Sequence, residues 1–126
     1  MDKKLKILII DDEEDFFYLT KLNLEKTGRF EVAGSTKGQE GINLAKKNNP
    51  DLILLDILMP EMDGPQVARH LLEDAATNNI PIIFLTALAN KTDIETGKGL
   101  IGGRPFIAKP VTSAELISRI DSILGI

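Results

Sequence analysis

Segments typical of strands alternate with segments typical of helices along the whole chain, and this alternation limits the folds available to it. The clearest strand is Leu52–Asp56, in which four apolar residues in a row precede a carboxylate. An apolar run of this kind is typical of a strand buried on both faces, as in a parallel sheet. The predicted strands are Leu5–Ile10, Phe30–Ser35, Leu52–Asp56, Ile80–Thr86 and Phe106–Ala108. The predicted helices are Glu13–Lys26, Gly38–Asn48, Pro65–Ala76, Thr92–Leu100 and Ser113–Leu124.

This order of elements predicts an α/β fold: a doubly wound, five-stranded parallel sheet with helices on both faces. Right-handed crossovers leave few strand orders. We expect the order 2-1-3-4-5, with the more polar second strand and the short fifth strand at the edges. Gly97 and Gly99 interrupt the fourth helix, and an interior glycine costs roughly 1 kcal/mol relative to alanine, so we expect that helix to be short, displaced or mobile. A chain of 126 residues predicts one domain, residues 1–126, with a single core.

Composition excludes several classes of protein and site. The chain has no cysteine, so disulfides and thiolate metal sites are excluded. Its net charge of −4 argues against direct nucleic-acid binding, which usually requires a basic surface. No apolar run approaches the roughly 20 residues of a membrane span, and the first residues lack the features of a signal peptide. We therefore expect a cytoplasmic protein with no membrane insertion.

Residues able to carry out chemistry stand where the predicted strands end. Asp11 and Asp12 follow the first strand, Asp56 and Thr86 end the third and fourth, and Lys109 follows the fifth. In a doubly wound sheet these strand ends converge on one crevice. Carboxylates roughly 4–5 Å apart repel by about 3–4 kcal/mol at an effective dielectric constant near 20, which one lysine does not balance. An all-oxygen ligand set then points to a hard cation, Mg²⁺.

Such a crevice is suited to receive a phosphoryl group. A carboxylate can act as the nucleophile in phosphoryl transfer and form an aspartyl phosphate. Catalysis then needs little beyond in-line positioning and neutralisation of charge. Asp56 is the candidate acceptor because it is central and stands alone at its strand end, and Asp11 and Asp12 are the candidate metal ligands.

The chain resembles the receiver domains of two-component response regulators, in particular the single-domain chemotaxis type, from Ile7 to Leu124. The segments that carry the resemblance are Ile7–Glu13, Asp56–Gly64, Leu85–Ala87 and Phe106–Pro110. The resemblance implies a flavodoxin-like receiver fold. It also implies that the chain is a signalling phosphoacceptor that assists its own phosphorylation and dephosphorylation, and is not an enzyme in the usual sense.

Roles for individual residues follow from the same resemblance. Asp56 would accept the phosphoryl group from a histidine kinase or a histidine phosphotransfer protein. Asp12, Asp56 and the backbone carbonyl of Leu58 would bind Mg²⁺, with Asp11 acting mainly through bound water.

The resemblance also implies a switch. Lys109 would pair with the phosphoryl oxygens, and the Lys109–Pro110 peptide bond would be cis. Thr86 and Phe106 would turn inward together on phosphorylation. This would change a surface made of the fourth predicted helix, the fifth predicted strand and the last helix, which would bind a downstream protein.

Simpler interpretations exist for several of these residues. Asp11 and Asp12 by themselves would suit the start of a helix, and Thr86 could be an ordinary strand hydroxyl. Phe106 could be a plain core aromatic residue. His70 is isolated from other potential ligands, so we expect it on the surface.

Two alternative functions remain open at this point. A haloacid dehalogenase-like phosphatase also uses an aspartyl phosphate, but it needs a second Asp two residues after the nucleophile, where this chain has Leu58. The chain could also be a receiver module of a hybrid kinase or a multidomain regulator, although its first Met and final helix favour a stand-alone protein. Leu58 and Leu88 flank the site and cannot orient an attacking water, so we expect slow dephosphorylation.

Overall fold

The computed structural model describes residues 3–87, 100–101 and 104–126. The strands are β1 (Leu5–Ile10), β2 (Phe30–Ser35), β3 (Leu52–Asp56), β4 (Ile82–Thr86), β5 (Leu100–Ile101) and β6 (Arg104–Ala108). The helices are α1 (Glu14–Glu25), α2 (Gly38–Asn48), α3 (Gly64–Glu73) and α4 (Ser113–Leu124). Among these residues, no helix has both the length and the apolar character needed to cross a membrane.

Among the described residues, five strands run parallel in the order β2-β1-β3-β4-β6. Because β6 is the fifth predicted strand, the predicted order 2-1-3-4-5 is confirmed. β4 begins two residues later than predicted, at Ile82, since Pro81 before it has no N–H to donate to the sheet. α3 ends at Glu73 instead of Ala76 because Asp74 is already extended, with φ −104° and ψ 125°.

A short strand that the sequence did not predict lies beyond β6. β5 pairs antiparallel with β6, with Leu100 opposite Pro105. Two expectations were therefore wrong: Leu100 is in a strand and not at the end of a helix, and the fifth predicted strand is not at the edge of the sheet. The missed signal is Gly102-Gly103, a dipeptide that favours two-residue hairpins between antiparallel strands. The remainder of the predicted fourth helix, residues 92–99, lies outside the described residues.

The apolar side chains of the strands form a core on each face of the parallel sheet. On one face, alternate residues of β1, β3, β4 and β6 pack with α2 and α3; these strand residues are Leu8, Ile10, Ile53, Leu55, Ile82, Phe84 and Phe106. On the other face the intervening residues pack with α1 and α4; these are Ile7, Ile9, Leu52, Leu54, Ile83, Leu85 and Ile107. The period of two reflects the pleat of each strand, and every residue of β3 is buried. Helices thus cover both faces, as predicted.

Two side chains of α1 cover part of the exposed edge at β2. The backbone N–H of Val32 donates to the Glu25 carboxylate at 3.1 Å, and its carbonyl accepts from Lys21 Nζ at 2.7 Å. Lys21 and Glu25 also pair with each other at 3.0 Å. An edge strand with free N–H and C=O groups can pair with another chain, and this ion pair satisfies both groups of one residue.

Candidate functional site

Carboxylates from two neighbouring strands meet at the carboxyl edge of the sheet. Asp11 and Asp12 follow β1, and Asp56 ends β3. The two strands end at the same height because Ile10 pairs with Leu55. An oxygen from each of the three carboxylates lies within 4.8 Å of the other two. Asp11 and Asp56 are buried and Asp12 is exposed, so solvent reaches the cluster on the side of Asp12.

Hydrogen bonds to the backbone hold Asp11 in place. Its own N–H donates to the carbonyl of Ser35 at 3.1 Å, which extends the pairing of β1 with β2 by one residue. Its side-chain Oδ1 accepts from the N–H of Glu13 at 2.9 Å, immediately before α1 begins. The carboxylate is therefore aimed by the turn between strand and helix, a common role for Asp.

The loop after β3 folds back against Asp56 and closes at Gly64. The Gly64 N–H donates to the carbonyl of Ile57 at 2.8 Å. A Cβ at position 64 would overlap the backbone carbonyl of Asp56 and lie 2.8 Å from the Ile57 Cα. Only glycine permits this close approach. The loop then enters α3 through a capping box made by Asp63 and Gln66.

Lys109, the residue after β6, brings a positive charge to the carboxylates. Its Nζ is 2.6 Å from Asp11 Oδ2, 2.9 Å from Glu13 Oε1 and 3.9 Å from Asp56 Oδ1. The last distance is too long for a hydrogen bond. Nζ also lies 4.3 Å from the centre of the Phe16 ring, within the range of a cation–π contact. The ammonium group thus lies on the α1 side of the site.

The backbone of Lys109 continues the sheet beyond β6, and its side chain is buried. The Lys109 N–H donates to the carbonyl of Thr86 at 2.8 Å, which continues the pairing of β4 with β6. The Lys109–Pro110 peptide bond is cis. The Lys109 side chain is 7% exposed, so little water surrounds its charge.

Burial and mutual repulsion shape the electrostatics of the site. Burial, and after it the charge of Asp11, raise the pKa of Asp56 to about 7, while the charge of Lys109 opposes the change. Burial also raises the pKa of Asp11, and this outweighs its hydrogen bonds to Lys109 and to the Glu13 N–H. Burial acts to lower the pKa of Lys109, but its hydrogen bonds to Asp11 and Glu13 prevail and raise it. A bound cation would therefore stabilise the ionised form of these carboxylates.

Thr86 lies on β4, the strand next to β3, and Phe106 lies on β6, the strand beyond it. Thr86 ends β4, where it pairs with Ala108, and Phe106 pairs with Phe84. Both residues are 3% exposed. Phe106 belongs to the core that α2 and α3 cover, so its ring is directed inward.

The remaining residues discussed from the sequence are Leu58, His70 and Leu88. Leu58 is 56% exposed beside the site, in the loop that follows β3. His70 is exposed on α3, away from the cluster of carboxylates. Leu88 lies outside the described residues.

Glu13 is a member of the site that the sequence did not reveal as one. It was predicted only as the first residue of a helix, yet its carboxylate contacts Lys109, 96 residues away in the chain. The available signal was the run of three acidic residues Asp11–Glu13 after a buried strand. That signal does not show which carboxylate faces a lysine.

The donor set fits Mg²⁺. All three clustered side chains are carboxylates, and Mg²⁺ prefers oxygen ligands, typically one or two carboxylates together with water or phosphate oxygens. The excess of negative charge around Lys109 favours a divalent cation as well.

The sequence matches the family model of the response regulator receiver domain over residues 7–121. It is 38% identical over 120 residues to the protein PilH of Pseudomonas aeruginosa, covering 95% of this chain and 98% of that protein. Other curated relatives are transcriptional regulators, and the chain spans about half their length.

Solved structures show the same fold. The receiver domain of a Francisella response regulator is 28% identical, with a TM-score of 0.80 and coverage of 97% of this chain and 98% of that one. The receiver domain of a sensor histidine kinase from Pseudomonas aeruginosa is 26% identical, with a TM-score of 0.82 and coverage of 98% and 100%. That structure has a magnesium ion coordinated in its active-site cleft.

Proposed function

The chain belongs to the family of response regulator receiver domains, and from this membership we propose that Asp56 is the phosphoryl acceptor in a two-component signalling reaction. The observation that carries the proposal is the position of Asp56. It ends the central strand β3, is buried, and lies within reach of Asp11, Asp12 and Lys109. Among the described residues, the members of the acidic cluster share one crevice at the carboxyl edge of the sheet, where open α/β folds bind ligands.

In the proposed reaction an Asp56 carboxylate oxygen attacks the phosphorus of a phosphohistidine. The new O–P bond forms as the N–P bond of the donor breaks, and the bonding electrons leave with the imidazole. The donor would be a histidine kinase or a histidine phosphotransfer protein. Asp56 has to be ionised to attack, and its raised pKa of about 7 makes this state sensitive to nearby positive charge.

Asp11, Asp12 and Asp56 would hold Mg²⁺, together with the backbone carbonyl of Leu58. When bound, the ion would neutralise charge on the carboxylates and on the phosphoryl oxygens. Asp11 would act mainly through a water ligand, consistent with its oxygen Oδ2 being engaged by Lys109 at 2.6 Å.

Lys109 and Thr86 would stabilise the phosphoryl group after transfer. The Lys109 ammonium is 3.9 Å from Asp56 Oδ1, so a short movement allows it to donate to an oxygen of the new group. Hydrogen bonds from charged donors are among the stronger ones. Thr86 ends the adjacent strand β4, from which its hydroxyl would donate to a second phosphoryl oxygen.

We propose that phosphorylation is read out as a change of surface. Thr86 would move toward the phosphoryl group, the Phe106 ring would keep the inward position that it already has, and together they would bias a two-state surface that includes β6 and α4. A downstream protein, and not nucleic acid, would bind there. The third component of this surface, the predicted helix 92–100, lies mostly outside the described residues.

The phosphoryl group should be long-lived. Leu58, at the rim of the site, is 56% exposed. Its side chain has no polar atom with which to orient a hydrolytic water. The chain would therefore act as a signalling acceptor. A phosphatase of the haloacid dehalogenase type requires an acid or base at that position.

The test is labelling by a small phosphate donor, such as acetyl phosphate, with Mg²⁺, followed by intact mass measurement. We expect the wild type to gain one phosphoryl group and Asp56→Ala to gain none. Asp15→Ala, which removes an exposed carboxylate of α1, should label like the wild type. Labelling of Asp56→Ala at the wild-type level would refute the assignment, and many donor molecules consumed per protein would favour a hydrolase.

A further inference from the structure

Lys109 is held at one side of the site by two carboxylates. Its Nζ lies within hydrogen-bond distance of Asp11 and Glu13 but 3.9 Å from Asp56. The Phe16 ring, also part of α1, lies 4.3 Å from the same nitrogen. The ammonium group is therefore turned toward α1 and away from the proposed acceptor.

Glu13 differs from the other two carboxylates near Lys109. Asp11 and Asp56 belong to the cluster that could hold a cation, and Glu13 does not. The Glu13 side chain is 60% exposed, whereas that of Asp11 is fully buried. With a cation at the cluster, part of the Asp11 charge is neutralised by the ion, whereas Glu13, outside the cluster, keeps its full charge to compete for Lys109.

We propose that Glu13 is a positioning residue that restrains Lys109 on the α1 side and so limits how strongly Lys109 engages an anion on Asp56. The proposal rests on the proposed function of Asp56. It assigns Glu13 a role that acts through Lys109, without contact with the phosphoryl group.

Competition for the lysine gives the proposal its physical basis. An ammonium group has three N–H donors, and Asp11 and Glu13 occupy two of them. Movement of Nζ toward Asp56 stretches the contact with Glu13, because hydrogen bonds with Asp11 and Phe17 fix the Glu13 backbone at the start of α1. Exposed ion pairs are weak, so releasing Lys109 from Glu13 costs little free energy, but enough to measure as a change in affinity.

The experiment measures binding of beryllofluoride, a phosphoryl mimic, by isothermal titration calorimetry in saturating Mg²⁺. Glu13→Gln should bind it about two- to fivefold more tightly than the wild type, the range expected for an exposed ion pair. Glu14→Gln is the matched control, since it removes the same charge from the next residue, which is exposed. The control should change the affinity distinctly less.

A second variant separates contact from charge. Glu13→Asp keeps the negative charge but shortens the side chain, so its carboxylate withdraws from Lys109. If the contact restrains the lysine, Glu13→Asp should bind beryllofluoride more tightly than the wild type, as Glu13→Gln does. Wild-type affinity in Glu13→Asp, or equal tightening by Glu14→Gln and Glu13→Gln, would overturn the proposal. Failure of the proposed function looks different: the wild type would then bind no better than Asp56→Ala.

Discussion

Replacing Asp56 by Asn should stabilise the metal-free protein, because the folded state confines a charge that it cannot fully neutralise. Burial and the neighbouring Asp11 raise the pKa of Asp56 from 3.8 to about 7. The folded protein therefore holds a proton at Asp56 more tightly than the unfolded chain does. The resulting stability is complete below about pH 4 and is lost as the pH rises through about 7. Asn has nearly the same shape and no charge to confine.

The size of the effect follows from the shift. A rise of roughly three pKa units corresponds to at most about 4 kcal/mol. The exposed Asp12 shows that water reaches the rim of the cluster, so screening reduces this to about 1–2 kcal/mol. For a chain of 126 residues, this gain should raise Tm by about 4–8 °C.

Thermal unfolding followed by circular dichroism in EDTA measures this effect. We expect the Tm of Asp56→Asn to be higher than that of the wild type at pH 8 and close to it near pH 4. Asp15→Asn is the matched control, and it should be slightly destabilising because it removes a carboxylate from the first turn of α1. Equal or lower stability of Asp56→Asn at pH 8, with a normal circular dichroism spectrum, would refute the electrostatic account of the site.

Three further changes test other parts of the site. Gly64→Ala should destabilise the protein by about 1–3 kcal/mol in urea unfolding, because its Cβ overlaps the Asp56 backbone; a loss under about 0.5 kcal/mol would contradict the close approach. Mg²⁺ at 100 times its Kd should stabilise the wild type by about 2.7 kcal/mol; EDTA should reverse the gain, and an equal gain in Asp12→Ala at that concentration would remove Asp12 from the ligand set. Leu58→Asn should shorten the half-life of the phosphorylated protein roughly threefold or more, still below the about 100-fold effect of a true general base; an unchanged half-life would show that the apolar rim does not protect the phosphoryl group.

Much of the fold could be predicted because its signals are local. The run Leu52–Leu55 is apolar without interruption, a pattern typical of a strand covered on both faces. Alternation of strands with helices then favours a parallel sheet. β5 escaped prediction because two residues carry no periodicity, and pairing with β6 defines it more than its own composition does.

The residue types that reach the carboxyl edge of the sheet follow from the sequence alone. Asp11, Asp12, Asp56, Thr86 and Lys109 each end or follow a strand, and parallel strands bring such positions together whatever the details of packing. Residue type and strand position were enough to predict an acidic crevice that contains one lysine.

The distribution of charge inside that crevice depends on the folded structure. Lys109 turns to Asp11 and Glu13 and away from Asp56, and Asp56 acquires a pKa near 7. Both features arise from distances between atoms far apart in the chain and from the water that packing removes. Electrostatic energy depends on the separation and burial of the charges, and neither can be read from the order of the residues.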